Sequence, residues 1–378
     1  MNYLLLLLLI PLLYPFAARY IFPVKDISSD NDDYYWKSKF VIRKGITWKE
    51  SFIMMAITSA VAIIFYYTGR YIETYDREVI NGEVVKKYVE TRHCYTNCGC
   101  CRNSYPCHCR TRCSGSGKSR SCYIVCDTCY AYSWEKYYHV DANISRYEIN
   151  VIDPQGINTP PRYDRVKIGD PVTETTSCTN YVKGAAHSLF HKENLTTKYT
   201  AFPEYPIEVY DYYKIDRAIS LDVNISNINY LNDKIADINK NIGFKKHGNV
   251  INVFANKVEP DYIYALQANW KGAKKNDIVI LTHITNYPNY DWVQVFSWSK
   301  NELFNVQLRD GLNNHKVVDD KYFDIILHTS MKQFERKEMK EYEYLKYEIE
   351  PPTWIMWLTI IIIVGAMIFM TIKFKEDN

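Results

Sequence analysis

Nineteen consecutive residues, Trp354 to Ile372, carry no charge (WIMWLTIIIIVGAMIFMTI). That length matches the ~20 residues an α-helix needs to cross the ~30 Å hydrocarbon core of a bilayer. Pro351 and Pro352 bar a helix from entering from upstream, Trp354 and Trp357 suit the interface, and Lys373 and Lys375 follow the run. A helix apolar on every side belongs in a large core or a membrane, and the segment 353–372 reads as a span. Ser51 to Thr68 adds 18 uncharged residues between Lys49 and Arg70, a second span. Tyr3 to Phe22 is apolar too, interrupted by Pro11, Pro15 and Arg19. A secretory signal peptide is its rival reading. The opening Met1-Asn2-Tyr3 has no Lys or Arg and no small-x-small site follows, so 1–23 is taken as an uncleaved membrane helix.

Orientation follows from the short loops. With three spans, the loop 24–50 and the tail after 372 share one side. They carry Lys25, Lys37, Lys39, Arg43, Lys44 and Lys49, then Lys373 and Lys375, whereas the N-terminal stub has no basic residue. That side is expected to be cytoplasmic, and residues 69–352 extracytoplasmic. Arg336, Lys337, Lys340 and Lys346, ahead of the last span, argue in the opposite direction. The net charge of +3 points to no nucleic-acid partner.

Ten of the 11 cysteines lie between Cys94 and Cys129. Other apolar residues are nearly absent from that stretch, so this part of the Cys-rich module 69–130 must be held by cross-links or by metal. Two chemistries fit. An even number of thiols on an oxidising side of a membrane suits disulfides, with Cys178 left over as a partner to the cluster or a buried thiol. Zinc is the alternative cofactor. Cys98-x-x-Cys101 and Cys126-x-x-Cys129 could each place two thiolates on one tetrahedral ion, and Cys107, Cys109, Cys113 and Cys122, with His93 and His108, could complete further sites. The extracytoplasmic placement favours disulfides and no cofactor; thiol exchange is a minor third reading.

Other motifs carry less. The stretch is basic (Arg92, Arg102, Arg110, Arg112, Lys118, Arg120) but lacks interleaved stacking aromatics, so its arginines are read as solubilising rather than as a nucleic-acid surface. Ser114-Gly115-Ser116-Gly117-Lys118-Ser119 is no phosphate loop, because Arg112 stands where the first glycine belongs. His187 and His191 lack the glutamate that zincin chemistry requires after the first histidine; Ser188 is there.

The segment 131–228 alternates in short runs, such as Tyr147–Val151 and Pro206–Tyr210, and is expected to form strands and long loops. The segment 229–345 is more regular. Leu231, Ile235, Ile238 and Ile242 recur at helical spacing, Val250–Phe254 and Asp277–Leu281 read as buried strands, and Pro260–Trp270 reads as a helix. Asp291–Trp298 should pair with the second strand through a turn at Tyr287-Pro288-Asn289, before helices at 300–313 and 320–340. The expected class is α+β: three transmembrane helices, a Cys-rich module and a small αβαββαα domain of one sheet with helices on it.

That order, with VINVFANKV, LQANWKGAKKNDIVILTHI, WVQVFSW and LRDGL, resembles the TPM domain, an α/β module often tethered by one C-terminal membrane helix. The resemblance implies a metal-dependent phosphohydrolase or an assistant of membrane complexes, and no catalytic residue transfers with it. CSGSGKSRSCYIVCDTCY, INVIDPQGINTPPRYDRVKIGDPV and TNYVKGAAHSLFH resemble stretches of uncharacterised membrane proteins of tailed bacteriophages. This implies a viral origin, the host inner membrane as location, and the lipid bilayer, host envelope or other membrane proteins as partners. Where that resemblance leads one to expect a histidine after CDTCY, this chain has Tyr132, which removes a ligand from the zinc reading.

Overall fold

The computed structural model describes residues 3–23, 25–27, 42–93, 104–115, 121–130, 134–153, 155–185, 198–210 and 214–376. The elements run α1 (Tyr3–Ile21), β1 (Lys25–Ile27), β2 (Ile42–Lys44), α2 (Trp48–Thr74), β3 (Tyr75–His93), β4 (Ser104–Ser114), β5 (Ser121–Tyr130), β6 (Trp134–Ala142), β7 (Arg146–Ile149), α3 (Pro161–Arg165), β8 (Pro171–Thr179), α4 (Tyr181–Gly184) and β9 (Ala218–Leu221). Then follow α5 (Ile228–Lys246), β10 (Asn249–Ala255), α6 (Tyr262–Asn269), β11 (Asp277–His283), β12 (Trp292–Ser297), α7 (Phe304–Asn313), α8 (Asp320–Gln333), a 3-10 turn (Met339–Tyr347) and α9 (Thr353–Glu376).

Three helices, α1, α2 and α9, are long and apolar enough to cross a membrane. They pack as one bundle around Met54, Ala62, Ile363 and Met367. Its outer surface stays apolar: Leu5, Leu13, Ile64, Ile361 and Phe369 are exposed, which suits lipid and not water. Several hydroxyls inside are satisfied within the bundle, the buried Ser59 hydroxyl being an exception. Thr58, Thr359 and Thr371 each donate to the carbonyl four residues earlier, and Ser51 donates to the Pro15 carbonyl on the neighbouring helix. Thr47 caps α2 in a reciprocal capping box with Glu50. Contacts set the directions. Arg19 stacks over Trp48, Lys375 lies over Phe22, and Tyr14 meets Thr371. The end of α1, the start of α2 and the end of α9 therefore gather at one end of the bundle. Thr74 and Thr353 lie at the other, where Gly69 packs against Pro351.

β3 leaves α2 with no intervening loop. Its first half, Tyr75–Glu83, pairs antiparallel with β8, and its second half, Val84–His93, with β6, which also carries β7. The partner changes at a register shift between Val84 and Lys86. One face of this sheet is apolar (Val84, Tyr138, Val140, Ile149, Val172), and Val166, just after α3, packs against it. The hairpin β4–β5 is inserted between β3 and β6, whose ends meet where His93 packs on Trp134.

The C-terminal domain is built on the sheet β12-β11-β10-β9, parallel from β9 to β11 and antiparallel at β12. β10 is buried throughout, its apolar residues and the buried Asn249 and Asn252 alike. Helices α5, α7 and α8 cover one face, and α6 with the aromatic segment Tyr199–Tyr205 covers the other. The expected strands and helices of 229–313 are all present, and β11 and β12 pair as expected across the turn holding the cis Tyr287–Pro288 bond. Three expectations need correction. The sheet gains β9 from outside the expected segment, making the order βαβαββαα. The last helix stops at Gln333, where Phe334 turns extended and Ser299 bridges Arg336. The alternation Pro206–Tyr210 gives no strand, only a single bridge from Tyr210 to Lys214.

Candidate functional site

The cysteines come together on a two-stranded ribbon that buries almost nothing. β4 and β5 pair from Ser104↔Tyr130 to Ser114↔Ser121, with a register shift between Cys107 and Arg110. This register makes a ladder. Cys113 bonds to Cys122, Cys109 to Cys126, and Cys107 to Cys129. The two thiols of Cys126-x-x-Cys129 therefore fall on different rungs, each reaching across the ribbon rather than toward its neighbour. Cys98 and Cys101, the other expected CxxC pair, lie outside the described residues, as do Cys94, Cys100, His187 and His191. Cys178 stands apart on β8 opposite Asp76, free and half-buried. Burial pushes its thiol up to about 11, so it is a poor nucleophile at neutral pH.

Residues opposite each other across an antiparallel pair share a face. Arg112 faces Tyr123 and Arg110 faces Val125, on the side away from the two outer rungs. Tyr105, Tyr123 and Ile124 are exposed on this coreless ribbon, and Arg110 reaches Asp127 at 3.8 Å. The sequence shows the arginines but not the face they form, because the face depends on the register.

A second site forms at the carboxyl ends of the parallel strands, where open α/β sheets bind ligands. Asp222, Asn224 and Ser226 follow β9, Asn256 follows β10, and Thr285 and Asn286 follow β11; together they line a polar cavity of about 370 Å³. Asp222 holds a left-handed backbone (φ 56°) at its rim. Beside it, Asp291 accepts from Thr285 Oγ1 at 2.8 Å and meets His283 Nδ1 at 2.8 Å; these bonds hold its carboxyl below the usual range. His283 stacks on Trp292. Metal-assisted phosphoryl chemistry needs several convergent oxygen ligands, and Asp222 is the one carboxylate lining the cavity. Sequence reasoning missed this site because its first segment follows a four-residue strand too short to show a period.

The densest cluster of buried charge lies where the first half of β3 meets the C-terminal domain. Glu78 takes two bonds from Arg336 at 2.6 and 2.7 Å, and Asp76 pairs with Lys274. Arg336, counted above among the basic residues ahead of α9, is thus neutralised. Arg217 is fully buried and donates to Asn81 and, at 3.1 Å, to Thr173. Asp277 accepts from Asn249, Lys274 N and Tyr205, yet burial pushes its carboxyl up to about 6. Most of these charges are held by one another or by neighbouring amides and hydroxyls, with Arg217 Nε and Arg336 Nε the exceptions, and the cluster reads as a clamp between domains rather than a reactive centre. A raised acid pKa favours the protonated folded state. Its stabilisation is complete below the unfolded value near 4 and is lost as pH rises through about 6. Asp277→Asn removes that dependence. Relative to wild type, the variant is expected to gain about 3 kcal/mol between about pH 4 and about pH 7, read by denaturant titration at several pH values.

Compared with known proteins, the chain matches no family model, no curated protein and no solved structure.

Proposed function

We propose that the chain is a phage-encoded protein of the host inner membrane that holds residues 69–352 outside the cytoplasm and acts by binding, modifying, guarding or scaffolding the host envelope. The observation that carries this reading is the direct passage of α2 into the 19-residue strand β3. At ~3.3 Å per residue such a strand spans up to about 60 Å, and the cross-linked ribbon is inserted beyond its far end. A ribbon without a core gains little from burial, so its rungs must hold it, and oxidised rungs belong on an oxidising side. Lys25, Arg43, Lys44 and Lys49 of the loop and Lys373 and Lys375 of the tail, at the opposite end of the bundle, support the same orientation. The exposed Arg110, Arg112 and Tyr123 supply the contact face.

Two measurements test this. Full-length protein, denatured without reductant and alkylated, is expected to show no free thiol among the six ribbon cysteines. Alkylation of those six, with zinc released in stoichiometric amount, would contradict the ladder. A photo-crosslinking residue at Tyr123 is expected to trap an envelope protein in host cells, and to lose it when Cys113 and Cys122 are replaced by serine. Adducts with cytoplasmic proteins would contradict the orientation.

The cavity at the strand ends supports a second reading, a TPM-type metal-dependent phosphohydrolase. On that reading the full chain in detergent releases phosphate from a phosphomonoester, and both a chelator and Asp222→Asn abolish the release. Release unaffected by either rejects it.

A further inference from the structure

The three rungs differ in one respect. At the basal rung an imidazole stands beside the sulfurs: His108 Nδ1 lies 3.9 Å from Cys129 Sγ. One ligand atom each from Cys107, His108 and Cys129 lies within 4.8 Å of the other two, the one such trio among the described residues. Neighbours on a regular strand point to opposite faces, so Cys107 and His108 should not share a ligand. The register shift between Cys107 and Arg110 lets them, with the His108 backbone turned left-handed at φ 47°. Such a conformation costs a non-glycine residue about 1 kcal/mol or more and persists only where its surroundings impose it. Cys107 and Cys129 are half-buried and His108 is exposed, so reductant and metal can both reach the rung.

We propose that the Cys107–Cys129 rung is reducible and, as a dithiol, binds one zinc-class divalent ion together with His108. This inference rests on the reading of the ladder as oxidised. A small dithiol supplies two electrons and two protons. One of its thiolates attacks a rung sulfur, its second thiol resolves the mixed disulfide, and it departs as its own disulfide, leaving Cys107 and Cys129 as thiols. The ion then displaces both thiol protons and takes two thiolates, one imidazole nitrogen and a water in tetrahedral array. Three protein ligands leave one position for an exogenous donor.

The test uses full-length protein in detergent micelles, titrated with dithiothreitol until two thiols per chain beyond those free before reduction become alkylatable. Peptide mapping is expected to place both at Cys107 and Cys129. Co²⁺ added to that state is expected to bind once per chain with thiolate-to-cobalt charge-transfer absorption. His108→Gly suits the left-handed backbone, so it keeps the ribbon and removes only the ligand. It is expected to weaken Co²⁺ binding by about 100-fold, since losing a ligand costs at least as much as losing its outer support, with partial rescue by free imidazole. Equal affinity in His108→Gly, absorption retained when Cys107 and Cys129 are both serine, or simultaneous reduction of all rungs would overturn the proposal. Any of the six ribbon cysteines alkylated before reductant is added would overturn the ladder itself, and this proposal with it.

Discussion

Gly243→Ala is expected to loosen the C-terminal domain from β3 and cost about 3 kcal/mol, the upper range for overpacking. The glycine sits on α5 where that helix crosses β3. A Cβ there would stand 2.5 Å from both the Cβ and the carbonyl oxygen of Asn81 and 2.9 Å from its carbonyl carbon. These are largely backbone atoms of a paired strand and cannot rotate away, so helix and strand must separate. Separation also strains the bonds that Asn81 Nδ2 donates to the Gly248 carbonyl and Asn249 Oδ1, both at 3.2 Å. Denaturant titration in detergent, followed by the fluorescence of Trp270, Trp292 and Trp298, reads the loss. Gly365→Ala serves as control, because nothing lies within 4 Å of its Cβ position on α9. Equal stability of the two variants would contradict the crossing.

Arg217→Ala is expected to cost more, about 4 kcal/mol. The guanidinium is 1% exposed and joins β3, through Asn81, and β8, through Thr173, to the start of β9. Truncation opens a cavity, leaves the Thr173 hydroxyl as the remaining donor to Asn81 Oδ1, takes the Arg217 bond from Thr173 Oγ1, and withdraws a positive charge from the neighbourhood of buried Asp277. Arg217→Lys should recover only part of the loss, since a point charge cannot reproduce the planar fork. Gly243→Ala and Arg217→Ala both act on Asn81, so the double variant should lose less than the two single losses together. Strict additivity would mean that Asn81 does not link them.

Much of this architecture was legible in the sequence. The three long apolar helices announce themselves by length, and Leu231, Ile235, Ile238 and Ile242, all buried in one core, mark α5 by spacing alone. Buried strands β10 and β11 read as apolar runs because helices cover both faces. What escaped detection depends on partners remote in sequence. β3 carries Asp76 and Glu78 on a buried side, which spoils its alternation; their countercharges, Lys274 and Arg336, lie 198 and 258 residues away and come near only in the fold. β9 is a strand because it pairs with Asn252–Ala255, and its own four residues say little. The cysteine stretch is the mixed case. Composition requires cross-links or metal, but the rungs follow only from the ribbon's register, and the register shift that brings His108 to Cys129 has no sequence signature.

The side of the membrane that receives residues 69–352 decides thiol chemistry, compartment and class of partner together. A reporter enzyme active only outside the cytoplasm, fused after Tyr88, is expected to be active, and the same reporter fused at Ser29 inactive. The opposite pattern would contradict the account: it would put the cysteine ribbon in a reducing compartment and make zinc the leading explanation of its thiols.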